Sequence, residues 1–338
     1  MIYNQPAEEI IKNTLKPFRI AWLFPEEELE KNPSDRLRRF QISRFININV
    51  IARNGSVNIF GYARIPDLKE KLEDVDIIVL LNIGEIDLDL CRYFRAKGKI
   101  ILFDHCERIF GLASEDQVMQ EVSAITCCST ALARTTDNYL KSRGIDQKIF
   151  VIRDPIDDDI LVRDSVYLRE ENTALIMGMG ANVQYVLPRL EEACTTAGYK
   201  IKIISEAGFS FPGHEFHIWE PDYRSDEYWI EHASKCSVAL CCHDEFKFPD
   251  KGNVKVTMPM ALGLPVIASP IESYKEAIRN GNNGFIVENN DWVTPLNALK
   301  DLGLSYIMGF RSQYTAKSFY STEKIGLDYV SMIQELQA

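Results

Sequence analysis

The sequence predicts an α/β protein made of two parallel, doubly wound sheets in tandem. Short apolar runs rich in β-branched residues alternate with longer polar segments, which is the pattern of buried strands and crossover helices. The alternation stops in the charged stretch 157–171 and starts again at Thr173. The chain has 338 residues, enough for two domains of about 150 residues each.

The N-terminal half contains five apolar runs that we interpret as strands. They are residues 18–24, 76–81, 99–103, 124–128 and 150–153. Residues 36–54 have apolar side chains at helical spacing, and Gly55 follows them, so this segment is predicted to be a helix. The segments between the later runs are long enough to hold the crossovers that parallel strands require.

The C-terminal half repeats the pattern. Its predicted strands are residues 173–177, 200–204, 237–242, 265–268 and 284–287. A helix is predicted over 187–197, closed by Gly198. After Ser321 the apolar residues recur at helical spacing, which predicts an amphipathic closing helix. The predicted division is therefore a domain over 1–156, a second over 157–320, and a closing helix over 321–338.

The segment 251–269 carries the strongest local signal. A polar loop with Lys251, Asn253 and Lys255 precedes a short apolar helix, which Gly263 and Pro265 end before a buried strand. Helix N-terminal amides and ammonium groups both favour negative charge, so the loop is a candidate anion site. The alternative interpretation is an ordinary α/β unit whose lysines face water.

Composition narrows the classes of partner and location. The chain has 38 Lys plus Arg against 49 Asp plus Glu, and a net charge of −11 argues against non-specific binding to nucleic acid. The eight cysteines lie mostly in apolar runs, as expected for free thiols in a reducing compartment. No signal-like segment or apolar run of about 20 residues is visible. We therefore expect a cytoplasmic protein that contacts any membrane only from its surface.

Several pieces of the chain together resemble the GT-B glycosyltransferases, and most closely the large retaining group with two Rossmann-like domains. The most specific piece is KGNVK at 251–255, followed by MALGLPVIAS at 260–269. YKEAI at 274–278 and GNNGFIV at 281–287 extend it. The resemblance covers residues 120–335 well and 18–110 only in outline. It implies two Rossmann-like domains that face each other across a cleft.

The chain departs from that family at two places. The family has two glutamates eight positions apart, one near the donor sugar and one on the nucleotide ribose. Alignment on Gly263 puts these positions at Asp250 and Met258, and a methionine cannot accept a hydrogen bond from a ribose hydroxyl. The segment GMGANVQ at 178–184 also lacks the family's cations. The resemblance thus implies an altered donor pocket, with lost catalysis as the alternative.

The resemblance implies a donor site that stabilises the leaving nucleotide phosphate without metal. Charge on that phosphate requires helix N-termini, Lys or Arg. Lys255 is the main candidate for this role, and Glu276 is expected to bind ribose or sugar hydroxyls. The implied nucleotide-sugar-binding residues are Gly178, Gly180, Lys251, Asn253, Lys255 and Glu276.

Catalytic and acceptor residues are expected mainly in the N-terminal half. Asp104 and His105 directly follow a predicted strand and could deprotonate an acceptor hydroxyl or hold the donor sugar, together with Asp250. A helix N-cap with a surface histidine is the alternative for that pair. Arg36 and Arg38 are candidates for binding an anionic acceptor, with a solvated helix start as the alternative.

No metal site is predicted. Cys241 and Cys242 alternate across a strand, so they do not face one ion together. His214 and His217 either line a pocket for the donor base or lie in an ordinary loop, and the loop is favoured.

The predicted function is transfer of a sugar from a nucleotide-sugar to an acceptor hydroxyl, in the assembly of surface polysaccharide or glycolipid. The N-terminal domain would bind the glycan or glycolipid acceptor and the C-terminal domain the donor, with no cofactor. Three alternatives stay open. They are a nucleotide-sugar epimerase of the same fold, a non-catalytic glycan- or nucleotide-binding relative, and a glycosyltransferase acting on DNA bases, which the net charge disfavours.

Overall fold

A computed structural model describes residues 19–25, 41–42, 49–53, 65–80, 85–106, 113–156, 160, 169–218, 226–244 and 249–338. Its contacts divide the chain into two compact units. The N-terminal unit consists of Met1–Asp154 together with Thr322–Ala338, and the C-terminal unit is Pro155–Ser321.

The N-terminal unit is built on a six-stranded sheet in which every pairing is parallel. Its strands lie in the order β2-β1-β3-β4-β5-β6. They are β1 (Ile20–Pro25), β2 (Asn49–Arg53), β3 (Ile77–Leu80), β4 (Ile100–His105), β5 (Ala124–Cys127) and β6 (Ile149–Val151). The described helices of this unit's first part are α1 (Ile65–Leu72), α2 (Glu85–Ala96), α3 (Ala113–Glu121) and α4 (Thr130–Lys141).

The helix predicted over 36–54 is wrong at its C-terminal end. Asn49–Arg53 forms strand β2, which pairs in parallel with β1 from Ala21 to Pro25. Val50 and Ile51 in this short stretch are β-branched, and a run of that length fits a strand as well as a helix, so tertiary pairing decides.

The C-terminal helix belongs to the N-terminal unit. Helix α11 (Thr322–Gln337) packs Tyr329 edge-on against Trp22, with 5.5 Å between the ring centroids. Gln41 Nε2 donates a hydrogen bond of 2.9 Å to Thr322 Oγ1. The amphipathic helix predicted from Ser321 onwards is confirmed, and its apolar face covers the first domain's sheet.

The C-terminal unit has a second six-stranded parallel sheet, in the order β12-β11-β10-β7-β8-β9. Its strands are β7 (Thr173–Met177), β8 (Lys200–Ser205), β9 (Glu215–Ile218), β10 (Val238–Cys241), β11 (Val266–Ala268) and β12 (Phe285–Ile286). Its helices are α5 (Gly180–Ala197), α6 (Asp226–Ser234), α7 (Val254–Ala261), α8 (Glu272–Ala277), α9 (Val293–Ala298) and α10 (Leu302–Phe319).

Two predictions for the C-terminal unit need correction. His217 lies on the edge strand β9, where a loop was favoured, because an exposed four-residue strand carries little apolar signal. Helix α5 begins at Gly180, seven residues before the predicted start at 187, and accommodates Pro188 in its interior. Gly198 ends α5 in the left-handed conformation, as predicted.

The strand order of the C-terminal unit contains a topological switch point. Numbered within the C-terminal unit, the strand order is 6-5-4-1-2-3. Successive strands are added on one side of β7 up to β9 and on its other side from β10 onwards, so the switch point lies between β7 and β10. In doubly wound sheets, ligands bind outside the carboxyl ends of the strands at such a switch point. The residues directly after β7 and β10 are therefore the first place to look for a site.

Within the described ranges, no helix is both long and apolar enough to cross a membrane.

Candidate functional site

The turn between β7 and α5 brings backbone and a lysine together. Gly178 has a φ of 151°, in the region that favours glycine. A β-carbon at Gly178 would lie 3.1 Å from both Cε and Nζ of Lys255. The missing side chain therefore lets the Lys255 ammonium lie close to the backbone, just before the amides that begin α5. Ammonium and helix N-terminus together favour an anion at this point.

The surroundings of the Lys255 ammonium favour binding of an anion. Burial is the main cause that lowers its pKa below the usual value for lysine, and Lys251 acts in the same direction. No carboxylate in the part of the chain that the structure describes forms an ion pair with Lys255. A buried cation without an opposite charge is costly, and a bound phosphate would remove that cost.

Asn253 offers polar atoms beside this lysine. It lies at the N-cap of α7 with 1% of its surface exposed, and its carbonyl accepts bonds from Val256 N and Thr257 N at 2.9 Å. Neither Oδ1 nor Nδ2 of its side chain has a hydrogen-bond partner among the described residues. Buried amides are nearly always hydrogen-bonded, so this one is suited to binding a ligand.

Two contacts fix the start of α7 to the rest of the unit, and a third joins two strand ends nearby. Cys241 Sγ donates a 3.0 Å hydrogen bond to the carbonyl of Lys255, and burial raises the pKa of the Cys241 thiol to about 12, which keeps it a donor. Ser273 Oγ on α8 donates to the carbonyl of Lys251 at 2.5 Å. His243 N donates to Ser269 Oγ at 2.9 Å, which joins the ends of β10 and β11.

His243 belongs to this region and was missed by the sequence prediction. It lies two residues after β10 with 7% exposure. Burial, and in addition Lys255 and Lys251, lowers its pKa to about 3, so it is neutral at pH 7. Its position directly after a strand at the switch point was the available signal.

Glu206 is a second residue that the sequence prediction missed. Its Oε2 accepts hydrogen bonds from the backbone N of Gly180 at 2.7 Å and from Ser205 Oγ at 2.9 Å. It therefore caps α5 from the carboxyl end of β8, the strand next to β7. In related doubly wound folds a carboxylate near this place binds the ribose hydroxyls. Met258, by contrast, is buried in an apolar cluster.

The other predicted donor-site residues lie on the same unit. Asp250 is 8% exposed, and Lys251 is half-buried, in the loop before α7. Glu276 is half-buried on α8, the helix that Ser273 joins to this loop. A β-carbon at Gly180 would lie 2.2 Å from the ring of Phe209, so Gly180 is required by packing. The roles of Asp250, Lys251 and Glu276 remain predictions.

Asp104 and His105 are the last two residues of β4 in the N-terminal unit. They are 1% and 3% exposed, which contradicts the alternative of a helix N-cap and a surface histidine. Thr126 Oγ1 donates a 2.6 Å hydrogen bond to Asp104 Oδ1. Burial lowers the pKa of His105 to about 4, against the opposing effect of Asp104, so the imidazole is neutral at pH 7. Arg36 and Arg38 lie outside the described residues.

A cavity of about 700 Å³ lies at the other end of the second sheet, near the amino ends of β7 and β8. Its lining includes Glu171, Glu191 and Lys200. Carboxylates predominate there, so this cavity repels a phosphate.

Comparison with known proteins identifies similar families and folds. A model of the family "Glycosyl transferases group 1" matches residues 224–304, the part that contains α7 and the Lys255 loop. A comparison with curated proteins by sequence found no match.

Solved structures resemble the whole chain. HepE from Anabaena in complex with UDP-glucose has 12% identity and a TM-score of 0.68, over 94% of this chain and 100% of HepE. Sucrose-phosphate synthase from Thermosynechococcus elongatus has 11% identity and a TM-score of 0.62, over 95% of this chain and 99% of that one. TarM has 13% identity and a TM-score of 0.61. The match covers 82% of this chain and 58% of TarM.

At these identities the structural likeness shows the fold alone, and the family match is limited to part of the C-terminal unit. The protein accordingly has the GT-B fold, with two Rossmann-like domains, and residues 224–304 of its C-terminal unit are similar to the glycosyl transferases of group 1.

Proposed function

We propose that the protein is a glycosyltransferase that moves a sugar from a nucleoside-diphosphate sugar to an acceptor hydroxyl. The observation that carries the proposal is the position of the Lys255 ammonium against Gly178, at the start of α5 and at the switch point of the sheet. A diphosphate bound there would receive hydrogen bonds from Lys255, from the amides of α5 that follow Gly180, whose own N–H donates to Glu206, and from the buried amide of Asn253.

The same groups suit the chemistry of glycosyl transfer. As the glycosidic bond to the diphosphate breaks, negative charge develops on the leaving phosphate oxygen. A half-buried ammonium and a helix N-terminus stabilise that charge strongly because little water screens them. In this proposal no metal is needed to hold the phosphate.

UDP-sugars are the first donors to test, because HepE was solved with UDP-glucose and with UDP. Met258 stands where the resemblance places a ribose-binding carboxylate. Glu206 is our candidate for binding the nucleotide ribose instead. Asp250 would lie near the donor sugar. In the N-terminal domain, Asp104 and His105 are our candidates for binding the acceptor hydroxyl, because a neutral imidazole can accept the proton of that hydroxyl.

Product analysis tests the function. Purified protein is incubated with UDP-, GDP-, CMP-, ADP- and TDP-sugars, with and without a mixture of glycan and glycolipid acceptors, and products are identified by mass spectrometry. We expect one donor to yield nucleotide and a glycosylated acceptor. An isomerised donor without acceptor use would identify an epimerase. Nucleotide-dependent thermal stabilisation without turnover would identify a binding protein, and no response to any nucleotide would contradict the donor site.

A glycolipid acceptor requires contact with a membrane surface, and helix α10 supports such a contact. Exposed apolar side chains recur at every fourth position along it: Leu302, Tyr306, Phe310 and Tyr314. The helix contains Arg311 and Lys317 and no Asp or Glu. Aromatic residues combined with positive charge are typical of interfacial helices. In this proposal the enzyme works in the cytoplasm, at the inner face of the membrane.

Vesicle binding tests this contact. We expect the protein to sediment with vesicles that contain anionic lipids and less with neutral ones. Replacing Phe310 and Tyr314 together by serine should reduce sedimentation with the anionic vesicles. Equal sedimentation of the wild type and the double variant would contradict the contact.

A further inference from the structure

A second cluster of reactive side chains lies on the edge strand β9 and on helix α6. Glu215 and His217 are two positions apart on β9, so their side chains leave the same face of the strand. His232 on α6 stacks on His217, with 3.6 Å between ring centroids and 25° between ring planes. His217 Nε2 lies 2.7 Å from Glu215 Oε1.

We propose that Glu215, His217 and His232 bind a divalent transition-metal ion, with Zn²⁺ as the best match. One potential ligand atom from each residue lies within 4.8 Å of the other two. A zinc ion about 2.0–2.2 Å from each ligand needs its donors about 3.4 Å apart, so binding requires the three side chains to move closer together and the stacked rings to tilt until both point at the ion. Imidazole and carboxylate donors together favour zinc, nickel or copper over magnesium and calcium.

The two imidazoles are in a suitable state for binding a metal. The ring of His232 on α6 is partly buried. His217 is also largely buried, with 12% of its side chain exposed. Two stacked rings cannot both carry a proton without repulsion, whereas a single cation can bind a neutral nitrogen of each.

The positive charge of Lys202 would repel a metal cation at this position, and the surrounding carboxylates offset that charge. Its side chain is 1% exposed, and Nζ lies 3.1 Å from Glu170 Oε1 and 3.1 Å from Glu215 Oε1. With both carboxylates ionised, Glu170, Glu215 and Lys202 together carry a net charge of −1. Lys202 and His217 both contact Oε1 of Glu215, which leaves Oε2 for the metal.

The arrangement has a structural consequence. A metal held by these residues would join the edge strand of the second sheet to the helix that follows it in the sequence. Three protein ligands leave a fourth tetrahedral position for water or another ligand. The site is also distinct from the donor site, since β9 lies two strands away from β7, which leads to Gly178.

A zinc titration of the full-length, metal-depleted protein in competition with a chromogenic chelator tests the proposal. We expect one zinc per chain, and a visible spectrum of histidine-bound cobalt with Co²⁺. His217→Ala and His232→Ala should each weaken zinc binding by at least about 100-fold, since even outer-shell changes cost about 10–100-fold. His214→Ala is the matched control, because His214 pairs with Glu191 outside the cluster.

The variants also separate metal binding from folding. Zinc should raise the Tm of the wild type and of His214→Ala, and leave the Tm of His232→Ala unchanged. If the alanine variants do not fold, Glu215→Gln, at a half-exposed position, keeps the side-chain size and should still weaken binding. No zinc bound by the wild type, or equal affinity in the wild type and in the folded ligand variants, would overturn the proposal.

Discussion

Lys255→Ala is expected to weaken the binding of UDP, or of whichever nucleoside diphosphate the enzyme uses, by about 10- to 100-fold. Hydrogen bonds to charged groups contribute about 1.5–3 kcal/mol, and Lys255 is half-buried with little water to screen it. Isothermal titration calorimetry at a fixed, low salt concentration measures the change. Affinity equal to that of the wild type would remove Lys255 from the donor site.

Replacing Lys255 should not lower the thermal stability of the nucleotide-free protein, in contrast to its effect on nucleotide affinity. Without nucleotide, the ammonium of Lys255 is a desolvated cation, so Lys255→Met should leave the Tm unchanged or raise it while nucleotide binding is lost. Lys275→Ala is the matched control, because Lys275 is an exposed lysine on α8. It should alter neither property. A fall in both Tm and affinity in Lys255→Met would indicate a structural role instead.

Gly309→Ala is expected to destabilise the protein by about 1–3 kcal/mol, the range for an overpacked core. A β-carbon at Gly309 would lie 2.2 Å from the carbonyl oxygen of Gly263 and 3.0 Å from Nη2 of Arg169. Because the Gly263 carbonyl is backbone and also accepts a hydrogen bond from Arg169, α10 must move away from the turn that ends α7. Urea unfolding followed by circular dichroism measures the loss.

Gly303→Ala in the same helix provides the comparison. There a β-carbon would contact only Asp301 Oδ1, at 3.2 Å, and alanine favours the helix. We expect the free energy of unfolding to change by less than about 1 kcal/mol. Equal destabilisation by both substitutions would show that the cost at Gly309 does not come from the contact with Gly263.

The parallel sheets could be predicted because most of their strands are buried on both faces. Residues 238–241 and 266–268, for example, are fully buried, and such strands appear in the sequence as continuous apolar runs. Strands β2 and β9 were missed because β2 follows a segment with apolar residues at helical spacing, and β9 is a short, partly exposed strand with little apolar signal. Their assignment depends on pairing with a neighbour distant in sequence.

The donor site could be predicted in part. The loop 251–255 and Gly178 carry local signals, namely a basic helix start and a glycine turn after a strand. Glu206 and His243 carry none, because their proximity to α5 and to Lys255 follows from the order of the strands. The burial of Asn253 is likewise a tertiary property that composition and spacing do not contain.

The most direct test of the donor site is a crystal structure of the wild-type protein with UDP. We predict the diphosphate beside the Lys255 ammonium, with the backbone amides of α5 that follow Gly180 and the side chain of Asn253 as further donors. Glu206 should lie within reach of the ribose hydroxyls. A nucleotide bound elsewhere, for instance in the acidic cavity lined by Glu191 and Lys200, would contradict this account.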